Sequence, residues 1–166
     1  MVERSGDYSR GAGGSALGAR LRRLSDRIDR DSTRIYAVRG VHFEQRWFGI
    51  LNQIARHGPM TVGEIATALR ITHVSVSQAR RSLEQAGLVE SRSDAADARR
   101  RPIALTEAGQ ALVAELTPLW HALDAVAHDL NVESGDVVAL LDRLEDALDA
   151  RSLFDRIAAR LAAPGR

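Results

Sequence analysis

Between Leu17 and Ile35 apolar residues return at Leu21, Leu24 and Ile28 with arginines and aspartates between them, which is the spacing of one stripe on an amphipathic helix. Gly40 is read as its end, and Phe43, Trp47, Leu51 and Ile54 predict a second helix that stops at Gly58-Pro59. Thr61 stands three positions before Glu64, the separation at which a capping hydroxyl and a reciprocal carboxylate open a helix, so a short third helix carries Ile65, Ala66 and Leu69. Thr72 opens a fourth, whose inner stripe is Val76, Ala79 and Leu83 and whose terminator is Gly87. The run Leu88 to Arg92 begins as a strand, the polar stretch Ser93 to Ala98 turns the chain, and Arg101 to Leu105 returns it with Ile103 and Leu105 inward. The result is a hairpin with an arginine-loaded tip. Helical spacing resumes from Thr106 with Leu112, Val113, Leu116 and Leu119, and Pro118 is expected to kink or interrupt that helix. After the capping residues of 131–136, Val138, Leu141, Leu144, Leu148 and Leu153 predict one last long helix. Residues 1–15 end in Gly11-Ala12-Gly13-Gly14-Ser15, have no apolar period, and read as a flexible tail.

With 166 residues, 45% of them hydrophobic, the chain has material for one ordinary domain, or one compact module with extra helices for association. The division expected is a tail (1–15), N-terminal helices (16–58), a central module (59–106) and C-terminal helices (107–166). Cysteine is absent, which excludes disulfides, thiol nucleophiles and Cys-based metal sites. No apolar run is long enough for a membrane span, and the start lacks the apolar core of a signal peptide, so a cytoplasmic location is expected. The only close histidines, His121 and His128, stand seven residues apart without a carboxylate placed to share a metal, and no G-x-S-x-G, P-loop or dinucleotide fingerprint occurs. No enzyme activity, metal or cofactor is therefore expected.

The net charge of +1 conceals a gradient: 11 arginines face 6 acidic residues in 1–59, whereas 4 face 11 in 107–163. Every one of the 23 basic residues is arginine, the cation that forks onto phosphates and guanine edges. The acidic end would be repelled by a polyanion and must face elsewhere.

Two short helices joined by a tight turn and followed by a basic hairpin make a winged helix-turn-helix, so the fold expected is mainly α with a small β-hairpin wing. The second helix of such a pair fits the major groove of B-DNA. With Val76, Ala79 and Leu83 inward, Ser77, Gln78 and Arg81 face out, and His73 and Ser75 lie exposed on the leading turn. Gln78 suits adenine, Arg81 suits guanine or phosphate, and Thr72, Ser75 and Ser77 suit phosphates at a helix N-terminus.

These segments resemble the MarR-type multiple-antibiotic-resistance regulators. The likeness rests on Thr61-Val62-Gly63-Glu64-Ile65-Ala66, on Ser77 with Leu83-Glu84-Gln85-Ala86-Gly87-Leu88-Val89, and on Asp97-Ala98-Arg99 followed by Leu105-Thr106-Glu107-Ala108-Gly109. It implies that Arg99 enters the minor groove with Asp97 orienting it, and that Arg100 and Arg101 are free to add phosphate contacts. Two positions depart from the family pattern. Arg70 replaces the usual glycine of the helix-turn-helix turn, so either the turn is built differently or strain is tolerated. Ala98 replaces the middle arginine of the wing triplet, so either the wing contact is weaker or Arg100 substitutes.

One recognition helix and wing bury too little surface for selective binding, and the apolar stripes of the outer helices exceed what a small winged core needs. Long N- and C-terminal dimerisation helices are therefore expected, as the resemblance also implies. It further implies a crevice for a small aromatic or phenolic anion, for which Tyr36, His42, Arg46 and Trp47 are the candidates. The partners expected are double-stranded DNA and a second copy of the chain, with no membrane. The competing reading is a winged helix used only for protein interaction, or a MarR-like partner of a separate enzyme.

Overall fold

In the computed structural model, which describes residues 7–91 and 101–162, helical structure starts well before Ala16. Asp7 caps α1 (Tyr8–Gly11) by accepting from the Ser9 amide at 3.0 Å, and it pairs with Arg23 at 2.9 Å. A 3-10 turn, Gly13–Ala16, buries Ala16 and leads into α2 (Leu17–Val38). The tail expected over 1–15 thus gives way, over 7–15, to two short helical turns. Capping and an ion pair hold them, and neither leaves a trace in apolar periodicity.

Along α2 only Ser32 and Tyr36 are buried, while Leu17, Leu21, Leu24, Ile28 and Ile35 remain exposed along the stripe. The helix closes at Arg39, and Gly40 takes the positive φ of 72° that turns the chain. The second long helix, α3 (Trp47–His57), starts four residues later than Phe43, which lies instead in the irregular link and stacks on Tyr36 at 4.4 Å. That link is pinned by the Val41 amide, which donates to the Tyr36 carbonyl at 3.0 Å. Gly58, at φ 79°, stops α3 as expected.

The centre of the chain follows its local signals closely. Thr61 and Glu64 form both hydrogen bonds of a capping box at the start of α4 (Val62–Leu69), and Thr72 caps α5 (His73–Gln85) by accepting from the Ser75 amide at 3.1 Å. β1 (Val89–Ser91) pairs antiparallel with β2 (Ile103–Leu105), in the register Val89 to Leu105 and Ser91 to Ile103. Met60 adds a bridge on the far side of Ile103 with two backbone hydrogen bonds of 3.1 and 2.8 Å, a third partner no pattern announced. The inward alternation of Ile103 and Leu105 is only half realised: Ile103 and Ala104 are both buried, and Leu105 is half-buried. Ile50, Leu51, Ile65, Val76, Leu83 and Ile103 are all essentially inaccessible, each stabilising by about 1.5–3 kcal/mol.

The helix α6 (Glu107–Glu133) continues through Pro118, which has no amide to donate, so of the kink or interruption expected there the interruption does not occur. Leu116, Leu119 and Trp120 are buried along it. The single last helix expected is two: α7 (Val137–Ala150) and α8 (Leu153–Ala162). Arg151 becomes extended, and Ser152 starts a new N-terminus by accepting from the Asp155 amide at 3.1 Å and donating to its carboxylate at 2.6 Å. A local cap outcompetes the continuing apolar period. Neither α7 nor α8 buries a residue. The chain divides into two compact units, one running to Ala114 and one beginning at Glu115. Among the described residues no helix is long and apolar enough to cross a membrane, and no three His, Asp or Glu side chains cluster to hold a metal ion.

Candidate nucleic-acid interface

The turn between α4 and α5 decides how the second helix is presented. Arg70 stands in the left-handed region, φ 51° and ψ 39°, and its amide donates to the Thr67 carbonyl. Of the two readings left open at this position, the turn is therefore the glycine-type turn with a side chain tolerated in it, at a cost of about 1–2 kcal/mol. Ile71 then donates to the Ala66 carbonyl at 3.1 Å, and the chain is ready for the Thr72 cap.

Burial divides α5 into two faces. Val76, Ala79 and Leu83 are at 0%, 3% and 0% exposure, so rotation of the helix about its axis is settled by the core. His73, Ser75, Gln78 and Arg81 are exposed on the other side, and Ser77 is half-buried. Thr72 is exposed too, but its hydroxyl is engaged: it accepts from Ser75 and shares a 2.9 Å hydrogen bond with the Ser75 hydroxyl. The outward stripe also holds Val74, 64% exposed, which inspection of polar residues alone passes over. Its signal was the spacing: 74, 78 and 81 are i, i+4 and i+7 on one face.

Two side-chain networks tie this helix to its surroundings. On one flank Ser91 of β1 donates to Glu84 at 2.7 Å and accepts from Arg80 at 3.4 Å, linking α5 to the first wing strand. On the other, the Trp47 indole N–H donates to Ser82 Oγ at 3.1 Å, and Ser82 donates to Glu44 at 2.7 Å. The Ser82 hydroxyl, and after it the Arg46 guanidinium, hold the Glu44 carboxyl below its usual range against the opposing effect of burial. Sequence reading anticipated neither the Arg80–Glu84 pair, whose signal was its i, i+4 spacing, nor the partnership of Ser82 with a residue 38 positions away, which has no local signal.

The candidate ligand residues fall into two pairs. Tyr36 and Trp47 are buried at 1% and 2%, joined through Phe43 by a stacked and an edge-on ring contact of 4.4 and 5.7 Å. His42 and Arg46 are exposed, His42 edge-on to Trp47 at 5.9 Å and Arg46 paired with Glu44. Of the wing candidates Arg101 is exposed, while Asp97, Arg99 and Arg100 lie outside the described residues.

What holds the wing to the helix after it is the Thr106–Gly109 corner. The Thr106 hydroxyl donates to the Gly87 carbonyl at 2.6 Å and accepts from the Gly109 amide at 3.1 Å, while the Thr106 amide donates to the Leu88 carbonyl. The sequence model of the MarR family matches residues 40–100, a span that takes in α3, α4, α5 and β1. The matched segment resembles that family, and its described part folds as the helix-turn-helix and first wing strand of a winged helix. No curated protein sequence matches the chain. Solved structures similar to it include the Staphylococcus aureus MepR–DNA complex, with 23% identity over 80% of this chain and 97% of that one and a TM-score of 0.66. Another is Bordetella bronchiseptica BpsR, described for regulation of its DNA binding by 6-hydroxynicotinic acid, with 23% identity, 78% and 93% coverage and a TM-score of 0.65. A third is the MarR family regulator NMB1585 from Neisseria meningitidis, with 23% identity, 82% and 93% coverage and a TM-score of 0.58. These likenesses concern the fold, and they extend it beyond the MarR segment to most of the chain. One further similar structure, from Silicibacter pomeroyi, is likewise described as a MarR family transcriptional regulator.

Proposed function

We propose that this protein is a transcriptional repressor that binds a palindromic DNA operator as a homodimer. The observation that carries the reading is the division of α5: three side chains lock it into the core while Gln78 and Arg81 project, with Val74, from a face that stays exposed among the described residues. In the proposal α5 lies in the major groove with Gln78 toward adenine and Arg81 toward guanine or phosphate, and Thr72, His73, Ser75 and Ser77 near the backbone. Arg99, oriented by Asp97, enters the minor groove, and Arg100 and Arg101 meet phosphates. A structure similar to this one is of a DNA complex, which supports the reading.

The terminal helices support pairing of two copies. Leu17, Leu21, Leu24 and Ile28 on α2 are 37–61% exposed, and Leu153, Phe154, Ile157 and Leu161 on α8 are 51–82% exposed. Continuous apolar stripes of this length on a free monomer invite association, and a second copy is the partner that every molecule of this protein has at hand. Release by a small aromatic or phenolic anion belongs to the same proposal, with exposed Arg46 as the cationic contact and exposed His42 as a hydrogen-bonding one beside the Tyr36–Phe43–Trp47 rings. The reported effect of 6-hydroxynicotinic acid on BpsR supports that class of ligand.

The test is selection of bound fragments from genomic DNA, followed by gel shifts across a salt series. An inverted repeat is expected, bound with an affinity that falls steeply with salt, by a species of twice the chain mass on multi-angle scattering. Arg81→Ala is expected to weaken operator binding about 5- to 100-fold, Arg99→Ala to weaken it across sequences, and Gln78→Ala to change the preferred base at one position. Absence of any salt-dependent shift would overturn the DNA reading and favour a winged helix used for protein interaction; a monomer on scattering would overturn the pairing; 6-hydroxynicotinic acid and related aromatic carboxylates that leave the shift untouched would overturn the ligand.

A further inference from the structure

We infer that Val74 is a specificity determinant that reads the C5 methyl of one thymine in each half-site. The inference rests on the DNA reading above and adds to it the one contact that hydrogen bonding does not supply. Val74 is 64% exposed in the first turn of α5, and Ile71, in the turn just before, is 43% exposed. Around them the same surface carries His73, Ser75, Gln78 and Arg81. An apolar side chain at the leading edge of a face that is otherwise built to hydrogen-bond is placed to take an apolar counterpart there. In the major groove the apolar group that base edges present is the thymine methyl.

Geometry places that contact. Val74 precedes Gln78 by four residues and Arg81 by seven, so all three share one stripe. Four residues of helix rise about 6 Å, a little under two base steps of about 3.4 Å each. The thymine therefore lies within about two base pairs of the position Gln78 reads. Valine also suits the task in itself: its two methyl groups branch at Cβ and are held stiffly at χ1, so docking them costs little rotamer freedom.

The experiment uses the full chain and a half-site recovered by selection. Each thymine of that half-site is replaced in turn by deoxyuridine, which deletes only the C5 methyl, and dissociation constants are read by fluorescence anisotropy at fixed salt. At one position, within about two base pairs of the one at which Gln78→Ala changes preference, wild-type binding is expected to weaken about fourfold. Val74→Ala is expected to bind the thymine and uracil duplexes alike, and Val74→Thr, which keeps one methyl, to retain part of the difference. Circular dichroism checks that both variants keep the fold, as an exposed first-turn position predicts. Sequence-selective binding that is indifferent to uracil at every position overturns the inference and leaves the DNA reading standing. So does a Val74→Ala variant that keeps the full thymine preference, or one that is folded yet binds no DNA. Failure of the wild type to select any sequence removes the DNA reading and this inference together.

Discussion

Replacing Trp47 by alanine is expected to destabilise the winged module by about 3–5 kcal/mol, lowering its melting temperature by about 6–20 °C. Three losses add up. The ring is 2% exposed and meets Phe43 edge-on, so its removal opens a cavity at the start of α3, in a close-packed interior that relaxes only partly. The indole N–H no longer donates to Ser82, and Ser82 in turn holds Glu44. The rotation of α5 then loses one of its supports outside the hydrophobic stripe. Trp47→Phe separates the contributions: it keeps an aromatic ring for Phe43 but deletes the donor, and is expected to cost about 1 kcal/mol for the hydrogen bond beyond the change in packing. Thermal melts of both variants check this. A loss of less than about 1 kcal/mol for the alanine would mean that the ring is not a core element, and would return Trp47 to the ligand crevice.

The Gly109→Ala variant is expected to lose about 3 kcal/mol, or about 6–12 °C in melting temperature, from the addition of a single methyl group. A Cβ at that position would stand 2.0 Å from the Leu88 carbonyl oxygen and 3.0 Å from its carbon, with Leu105 Cδ2 at 3.3 Å. The obstacle is backbone, which cannot rotate aside as a side chain does, and that carbonyl already accepts from the Thr106 amide at 3.1 Å. Making room means moving the start of α6 off Leu88, the residue that leads into β1. Ala108→Ser, one residue earlier at an exposed position, is the control and is expected to change stability by no more than about 0.5 kcal/mol. If Gly109→Ala melts like the wild type, the close approach of α6 to Leu88 is wrong.

That corner also explains a motif that was visible as spelling before it had a cause. Thr106 and Gly109 stood out in the sequence by their spacing; the reasons, a hydroxyl shared between Gly87 and Gly109 and a carbonyl too near for any Cβ, appear only when Leu88 is placed beside them. The same contrast holds along the chain. Gly58, the Thr61–Glu64 box, the Thr72 cap and the Val76–Ala79–Leu83 stripe were legible because each is decided within one helical turn. Phe43 was misplaced into α3 because its spacing to Trp47 is helical, whereas the backbone there is settled by Val41 binding Tyr36 and by the Tyr36–Phe43 stack. The split between α7 and α8 was missed for the opposite reason. Its signal was local, Ser152 three residues before Asp155, but the apolar period running across it was allowed to outweigh the cap.

Taken alone, the order of residues determined the succession of helices and hairpin at the centre of the chain, and which side of α5 must turn inward, because caps, glycine stops and apolar spacing act over three or four residues. Only the folded chain decided that Arg70 sits in a left-handed turn, that Trp47 and Glu44 hold α5 through Ser82, that Met60 joins the hairpin at Ile103, and that Val74 is left bare beside Gln78. Each of those depends on groups distant in the chain or on which atoms remain uncovered after packing. Neither quantity is carried by the spacing of residues within a single turn.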